Sequence, residues 1–84
     1  MDRFQEMRVL LAVTEAESFA GGAKLLGISP PSVTRAIAAL EARLGTLLLA
    51  RSTRSLRLTE AGQRYVEDCR RILLELEEAE ELAA

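Results

Sequence analysis

The chain has 84 residues, 49% hydrophobic and 29% charged, with a net charge of −2 and only one Tyr and two Phe as aromatics. That bounds it to one domain, or one domain plus an extension, with a modest core of Leu, Ile, Val and Ala that suits packed helices. With no histidine, one cysteine, no glycine-rich phosphate loop and no apolar run of membrane-spanning length, the sequence gives no reason to expect an enzyme, a metal, a cofactor or a membrane protein.

From Asp2 to about Ala16 the apolar residues Phe4, Met7, Val9, Leu10, Leu11 and Val13 predict a helix with one broad buried face. Asp2 is placed to cap it, and Glu6 falls in its first turns, where the helix dipole favours an acid. Ser18 is a second capping residue, opening a helix of about two turns through Phe19, Ala20, Ala23, Leu25 and Leu26, closed by Gly27. Gly21 and Gly22 inside it each cost about 1 kcal/mol against Ala. They mark either a weak helix or a close crossing by another helix.

Ser29 caps the third helix, Pro30 suits its first position, and Gly45 follows its end. Val33, Ile37, Leu40 and Leu44 make one apolar stripe. Opposite lie Pro31, Thr34, Arg35 and Ala38, nearly all small or flat, with a single long cation. A face that keeps its bulk low can approach another surface closely, and a major groove admits one helix whose arginine offers a two-pronged donor to guanine. Only three residues, Gly27 to Ser29, separate this helix from the one before. The pair is predicted to be a helix-turn-helix with a DNA-recognition helix.

After Gly45 the period changes. Leu47 to Ala50 and Leu56 to Leu58 are predicted as two short strands, joined by the turn Arg51-Ser52-Thr53-Arg54-Ser55. The tip of this wing offers Arg51, Arg54 and small hydroxyls, residue types that hold phosphates or enter a minor groove. Thr59 then caps a last helix, along which Tyr65, Cys69, Ile72, Leu76, Ala79 and Ala83 recur at four and three residues, with Val66 and Leu73 widening the stripe. A helix of that length outreaches the domain before it, so Tyr65, Cys69, Ile72, Leu73, Leu76 and Ala79 are predicted to form a homodimer interface. The lone Cys69 is also expected to be a buried structural thiol, in keeping with a cytoplasmic location.

The net charge hides an uneven distribution. Residues 21–60 carry Lys24, Arg35, Arg43, Arg51, Arg54 and Arg57 against Glu41 and Glu60, a balance of +4, while residues 61–84 balance at −4. Exposed charges are screened over about 8–10 Å, so an acidic tail remote from the recognition helix does not oppose DNA.

The segments SFAGGAKLLGISPPSVTRAIAALEARLG and LLLARSTRSLRLTEAG, followed by a long helix, resemble the N-terminal DNA-binding domain of LysR-type transcriptional regulators. The resemblance covers the whole chain. It implies a mostly α, winged helix-turn-helix domain over residues 1–58 and a linker helix over 59–84, dimeric and reading an interrupted palindrome in promoter DNA. It also implies base contacts from Pro30, Pro31, Thr34 and Arg35, and backbone or minor-groove contacts from Ser18, Ser32, Arg51, Thr53 and Arg54. Many members have Gln where this chain has Pro30, which shifts base reading towards Arg35. Members often carry a basic residue at Leu47 and Phe at Leu49, and use small helix formers at Gly21-Gly22. In the family a small-molecule inducer binds a larger domain beyond the linker, so no ligand site is expected here, and the chain reads as one trimmed at the linker. The competing class is a helix-turn-helix scaffold turned to protein–protein interaction, for which the acidic overall balance is the motive.

Overall fold

A computed structural model describes residues 1–52 and 55–84 of the chain. Four helices and one hairpin form in the order α1 (Arg3–Ala16), α2 (Phe19–Leu26), α3 (Pro30–Leu44), β1 (Leu49–Arg51), β2 (Leu56–Leu58) and α4 (Glu60–Ala83). Each helix starts on a side-chain cap that accepts an otherwise unpaired backbone N–H. Asp2 accepts from Gln5 at 2.8 Å, Ser18 from Gly21 at 2.8 Å, Ser29 from Ser32 at 3.3 Å and Thr59 from Gly62 at 2.9 Å. The exits of α2 and α3 use Gly27 (φ 68°) and Gly45 (φ 70°) in the left-handed conformation. Between α1 and α2 the sharp reversal falls on Glu17 (φ 58°), a non-glycine residue in that region.

The core gathers Val9, Leu10 and Val13 from α1, Ala23 from α2, and Val33, Ala36, Ile37 and Leu40 from α3. Leu48 and Leu49 join from the wing's first strand and its approach, and Val66 and Cys69 from α4. Gly22 settles the ambiguity of the glycine pair. A Cβ there would lie 2.7 Å from Val13 Cγ2 and 3.0 Å from the Val13 backbone, so its hydrogen permits the close crossing of α1 and α2.

The wing is antiparallel, pairing Leu49 with Leu58, Ala50 with Arg57 and Arg51 with Leu56. Its first strand starts two residues later than the sequence pattern predicts. Leu47 is 65% exposed and Leu48 is buried, because the peptide links around Leu48 are tied to neighbouring helices instead of to β2. Glu41 of α3 accepts from the N–H groups of Leu48 (2.7 Å) and Leu49 (3.2 Å). Thr59 donates its N–H to the Leu48 carbonyl at 2.9 Å and its hydroxyl to the Leu47 carbonyl at 2.7 Å.

Other expected core positions also face outward. Leu44, the last residue of the α3 stripe, is exposed, as are Phe4 and Leu25, whereas Ala36 is buried. Glu6 is buried and paired with Arg43 across the α1–α3 contact.

Cys69 requires a correction. It is fully buried in the chain's own core, so it has no surface to offer a dimer seam, and the half-buried Tyr65 packs against the same cluster. The 4–3 spacing along α4 is real, but its first turns are consumed by folding. Burial pushes the Cys69 thiol above its ordinary pKa, with the Tyr65 hydroxyl pulling the other way, and burial likewise raises Tyr65. The stability contributed by the protonated thiol is complete below the pKa of an exposed thiol, about 8.5, and is lost as pH rises through the folded value. The melting temperature should therefore start to fall above about pH 8.5. In Cys69→Ala the fall should begin only where Tyr65 ionises. A thiol reagent should modify Cys69 in denaturant and not in native buffer; rapid native labelling would contradict the burial.

Candidate nucleic-acid interface

The sequence places Pro30 and Pro31 at the first two positions of α3, which needs no N–H there and leaves a low, flat entrance to the helix. Pro30, Pro31, Thr34 and Arg35 are all exposed, on the side away from Val33, Ile37 and Leu40. The Thr34 hydroxyl donates to the Pro30 carbonyl at 3.3 Å, so part of its polar capacity is used within the helix. Ser32 is half-buried. Its hydroxyl bonds that of Ser29 at 2.7 Å and accepts from Arg35 Nη2 at 3.4 Å. Arg35 is thus held along the helix by a weak neutral contact, and among the described residues it makes no ion pair. Its remaining donors are available to an incoming acceptor.

The predicted cations divide by use. Arg43 turns back to the buried Glu6 carboxylate, so it is structural. Arg51, at the end of β1, is exposed, and its guanidinium lies 4.4 Å from the centroid of the Phe19 ring. Ser18, at the start of α2, is exposed beside it. With Glu17, Ser52, Ser55 and Leu56 these residues line an open cleft of about 340 Å³ between the wing and α2. Ser52 and Ser55 close the described part of the turn: Ser52 N–H donates to the Ser55 carbonyl at 2.9 Å, and Ser55 N–H donates to the Ser52 hydroxyl at 3.1 Å. The predicted contacts Thr53 and Arg54 lie outside the described residues.

Among the described residues no cluster of His, Cys, Asp and Glu is arranged to hold a metal ion, and no helix is long and apolar enough to cross a membrane. Among the described residues the fold assembles a low α3 face whose arginine makes no ion pair, and a second exposed arginine on the hairpin, held against α2.

The sequence model for bacterial regulatory helix-turn-helix proteins of the lysR family matches residues 4–63. The chain belongs to the LysR family. It is 49% identical over 70 residues to the HTH-type transcriptional regulator TcbR of Pseudomonas sp. (strain P51), covering 83% of this chain and 24% of that protein. It is 42% identical over 81 residues to the transcriptional activator AaeR of Escherichia coli (strain K12), covering 96% of this chain and 26% of that protein. This LysR-family chain therefore spans about a quarter of the length of the curated relatives it matches. Among solved structures, the CbnR_DBD-DNA complex superposes with a TM-score of 0.92 at 42% identity, covering 99% of this chain and 94% of that one. The BenM_DBD/catB site 1 DNA complex gives 0.93 at 29% identity, covering 99% and 92%. The winged helix-turn-helix architecture of LysR regulators is thus the fold of this chain, and the relatives are transcriptional regulators.

Three functional details escaped the sequence: the Arg51–Phe19 stack, the Glu6–Arg43 pair and the Glu41 cap on the wing. The last two join residues that lie 37 and 7 or 8 positions apart, and no local period signals such pairs.

Proposed function

We propose that this chain binds double-stranded DNA sequence-specifically as a homodimer on an interrupted palindrome, in the cytoplasm, as the DNA-reading part of a LysR-type transcription regulator. The observation that carries this reading is the exposed face of α3, where Pro30, Pro31, Thr34 and Arg35 are low or unpaired and free of large apolar groups. In the major groove Arg35 donates to a guanine edge, while the Thr34 methyl and the proline rings contact thymine methyls. Ser18, Ser32, Arg51, Thr53 and Arg54 supply backbone or minor-groove contacts that set the register. Superposition on two proteins solved with DNA supports the same docking.

The dimer rests on the distal part of α4. Beyond Cys69, the side chains of Ile72, Leu73 and Leu76 are half-buried, and those of Ala79 and Leu82 are exposed. The helix extends beyond the small core, giving the molecule a long dimension of 45 Å against 27 and 20 Å. A second α4 packed along Ile72, Leu73, Leu76 and Ala79 removes that apolar surface from water.

Selection from a randomised duplex library should enrich an interrupted palindrome, and log affinity for it should fall linearly with log salt by about 0.9 per phosphate neutralised. A flat salt response with no enriched site would favour a protein-binding scaffold instead. Arg35→Ala should cost about 1–3 kcal/mol of discrimination at one base position of each half-site. Equal loss on all sequences would remove Arg35 from the base-reading set.

A further inference from the structure

We propose that Phe19 is a positioning residue for DNA binding, which holds the wing arginine Arg51 ready for a backbone phosphate beside the start of α2. This rests on the reading of Arg51 as a phosphate contact given above. Phe19 occupies the first position of α2, directly after the cap Ser18, and packs partly against the core. Its remaining surface carries the Arg51 guanidinium at 4.4 Å. Held over a ring by its cationic carbon, a guanidinium need not use its five N–H donors on the ring, and they remain able to meet oxygen acceptors.

Two physical consequences make this more than packing. A free arginine side chain loses about 2 kcal/mol of rotamer freedom when fixed, and a side chain already held in place loses less of it on binding. The ring also ties the hairpin to α2, so Arg51 and Ser18 sit on one cleft, with Ser52 and Ser55 on its wing side. A phosphate entering there meets the guanidinium edge and nearby hydroxyls together. Glu17 also lines the cleft, and its carboxylate opposes an anion, so the orientation of Arg51 matters more than the summed charge. A short wing alone would leave that orientation unfixed, since among the described residues β1 and β2 share three paired positions.

The test is a double-mutant cycle in DNA binding, using the duplex recovered by library selection and a mixed-sequence duplex of equal length. Phe19→Leu keeps apolar bulk and removes the ring face; Phe19→Tyr keeps the ring. Phe19→Leu should weaken binding about two- to fivefold per half-site, alike on both duplexes, while Phe19→Tyr binds as the unmodified chain does. Arg51→Gln should reduce the salt slope by about 0.9 per protomer, and adding Phe19→Leu to it should produce no further loss. An equal loss from Phe19→Leu with or without Arg51, or a loss shared by Phe19→Tyr, would overturn the positioning role and leave Phe19 as core. An Arg51→Gln variant with unchanged affinity and salt slope would overturn instead the assignment of Arg51 to a phosphate. Melting temperatures of all variants separate either result from unfolding.

Discussion

Replacing Gly62 with alanine should destabilise the fold by about 2–3 kcal/mol, although alanine is the better helix former by roughly 1 kcal/mol. Gly62 lies in the first turn of α4, where that helix crosses the backbone just before the wing. A Cβ at this position would stand 2.0 Å from the Leu48 carbonyl oxygen and 2.9 Å from its carbon, and those atoms are main chain that no rotamer change can clear. Relief requires α4 or the Leu48 peptide to move. The same carbonyl accepts from Thr59 N–H, and the Leu48 N–H is held by Glu41, so movement gives up hydrogen bonds that join α3, the wing and α4. For a domain of this size the expected loss lowers the melting temperature by on the order of 10–20 °C. Gly27→Ala is the informative control. Its Cβ would meet nothing within 4 Å, but its φ of 68° is unfavourable for alanine, so it should cost only about 1 kcal/mol. Equal melting temperatures for the two variants would show that the close approach at Leu48 does not constrain the fold.

Leu76→Glu should turn the proposed dimer into a monomer and weaken binding to a palindromic site by about a hundredfold or more. Leu76 is half-buried in the single chain, so the melting temperature of the variant must be read beside its mass to separate loss of the seam from loss of the fold. In the dimer it would bring two unpaired acids into an apolar seam, where burying a charge without a partner is costly. The acidic residues nearby, Glu75, Glu77, Glu78 and Glu80, add to the repulsion. Binding one half-site raises the effective concentration of the second recognition helix at the other, an advantage on the order of 10²–10⁴ that a monomer forfeits. Sedimentation reads the mass, and a duplex carrying one half-site reads the intrinsic affinity, which should be unchanged. A variant that stays dimeric would move the interface away from Leu76. Cys69→Ser is the counterpart inside the core, and its effect should fall on thermal stability without shifting the monomer–dimer equilibrium.

The contrast between Cys69 and Leu76 shows where local patterning stops being informative. Both lie on one 4–3 stripe, and a period reports only that two residues share a helix face. Which neighbour covers that face depends on where the helix leaves the domain: Cys69 is buried in the core, Leu76 is half-buried, and Ala79 and Leu82 are exposed. Leu44 and Leu47 fail for a related reason. Both are leucines in apolar surroundings, yet α3 and the wing diverge at Gly45, and the core takes Leu48 and Leu49 instead. The recognition face was easier to read, because a run of small residues around a single cation depends on helical spacing alone.

By itself, then, the sequence determined the elements whose causes are local. Asp2, Ser18, Ser29 and Thr59 start the four helices, because a capping oxygen needs only the N–H two or three residues ahead. The exposed identity of Pro30, Pro31, Thr34 and Arg35 follows from the opposite stripe of Val33, Ile37 and Leu40. Only the tertiary structure decided which charges face outward and which are spent within. Arg43 and Arg51 look alike in a list of basic residues. One is drawn to a buried carboxylate brought from α1, and the other rests on an aromatic ring brought from α2. Those partners are set by chain packing, where burial of an unpaired charge or ring outweighs any preference written in neighbouring residues.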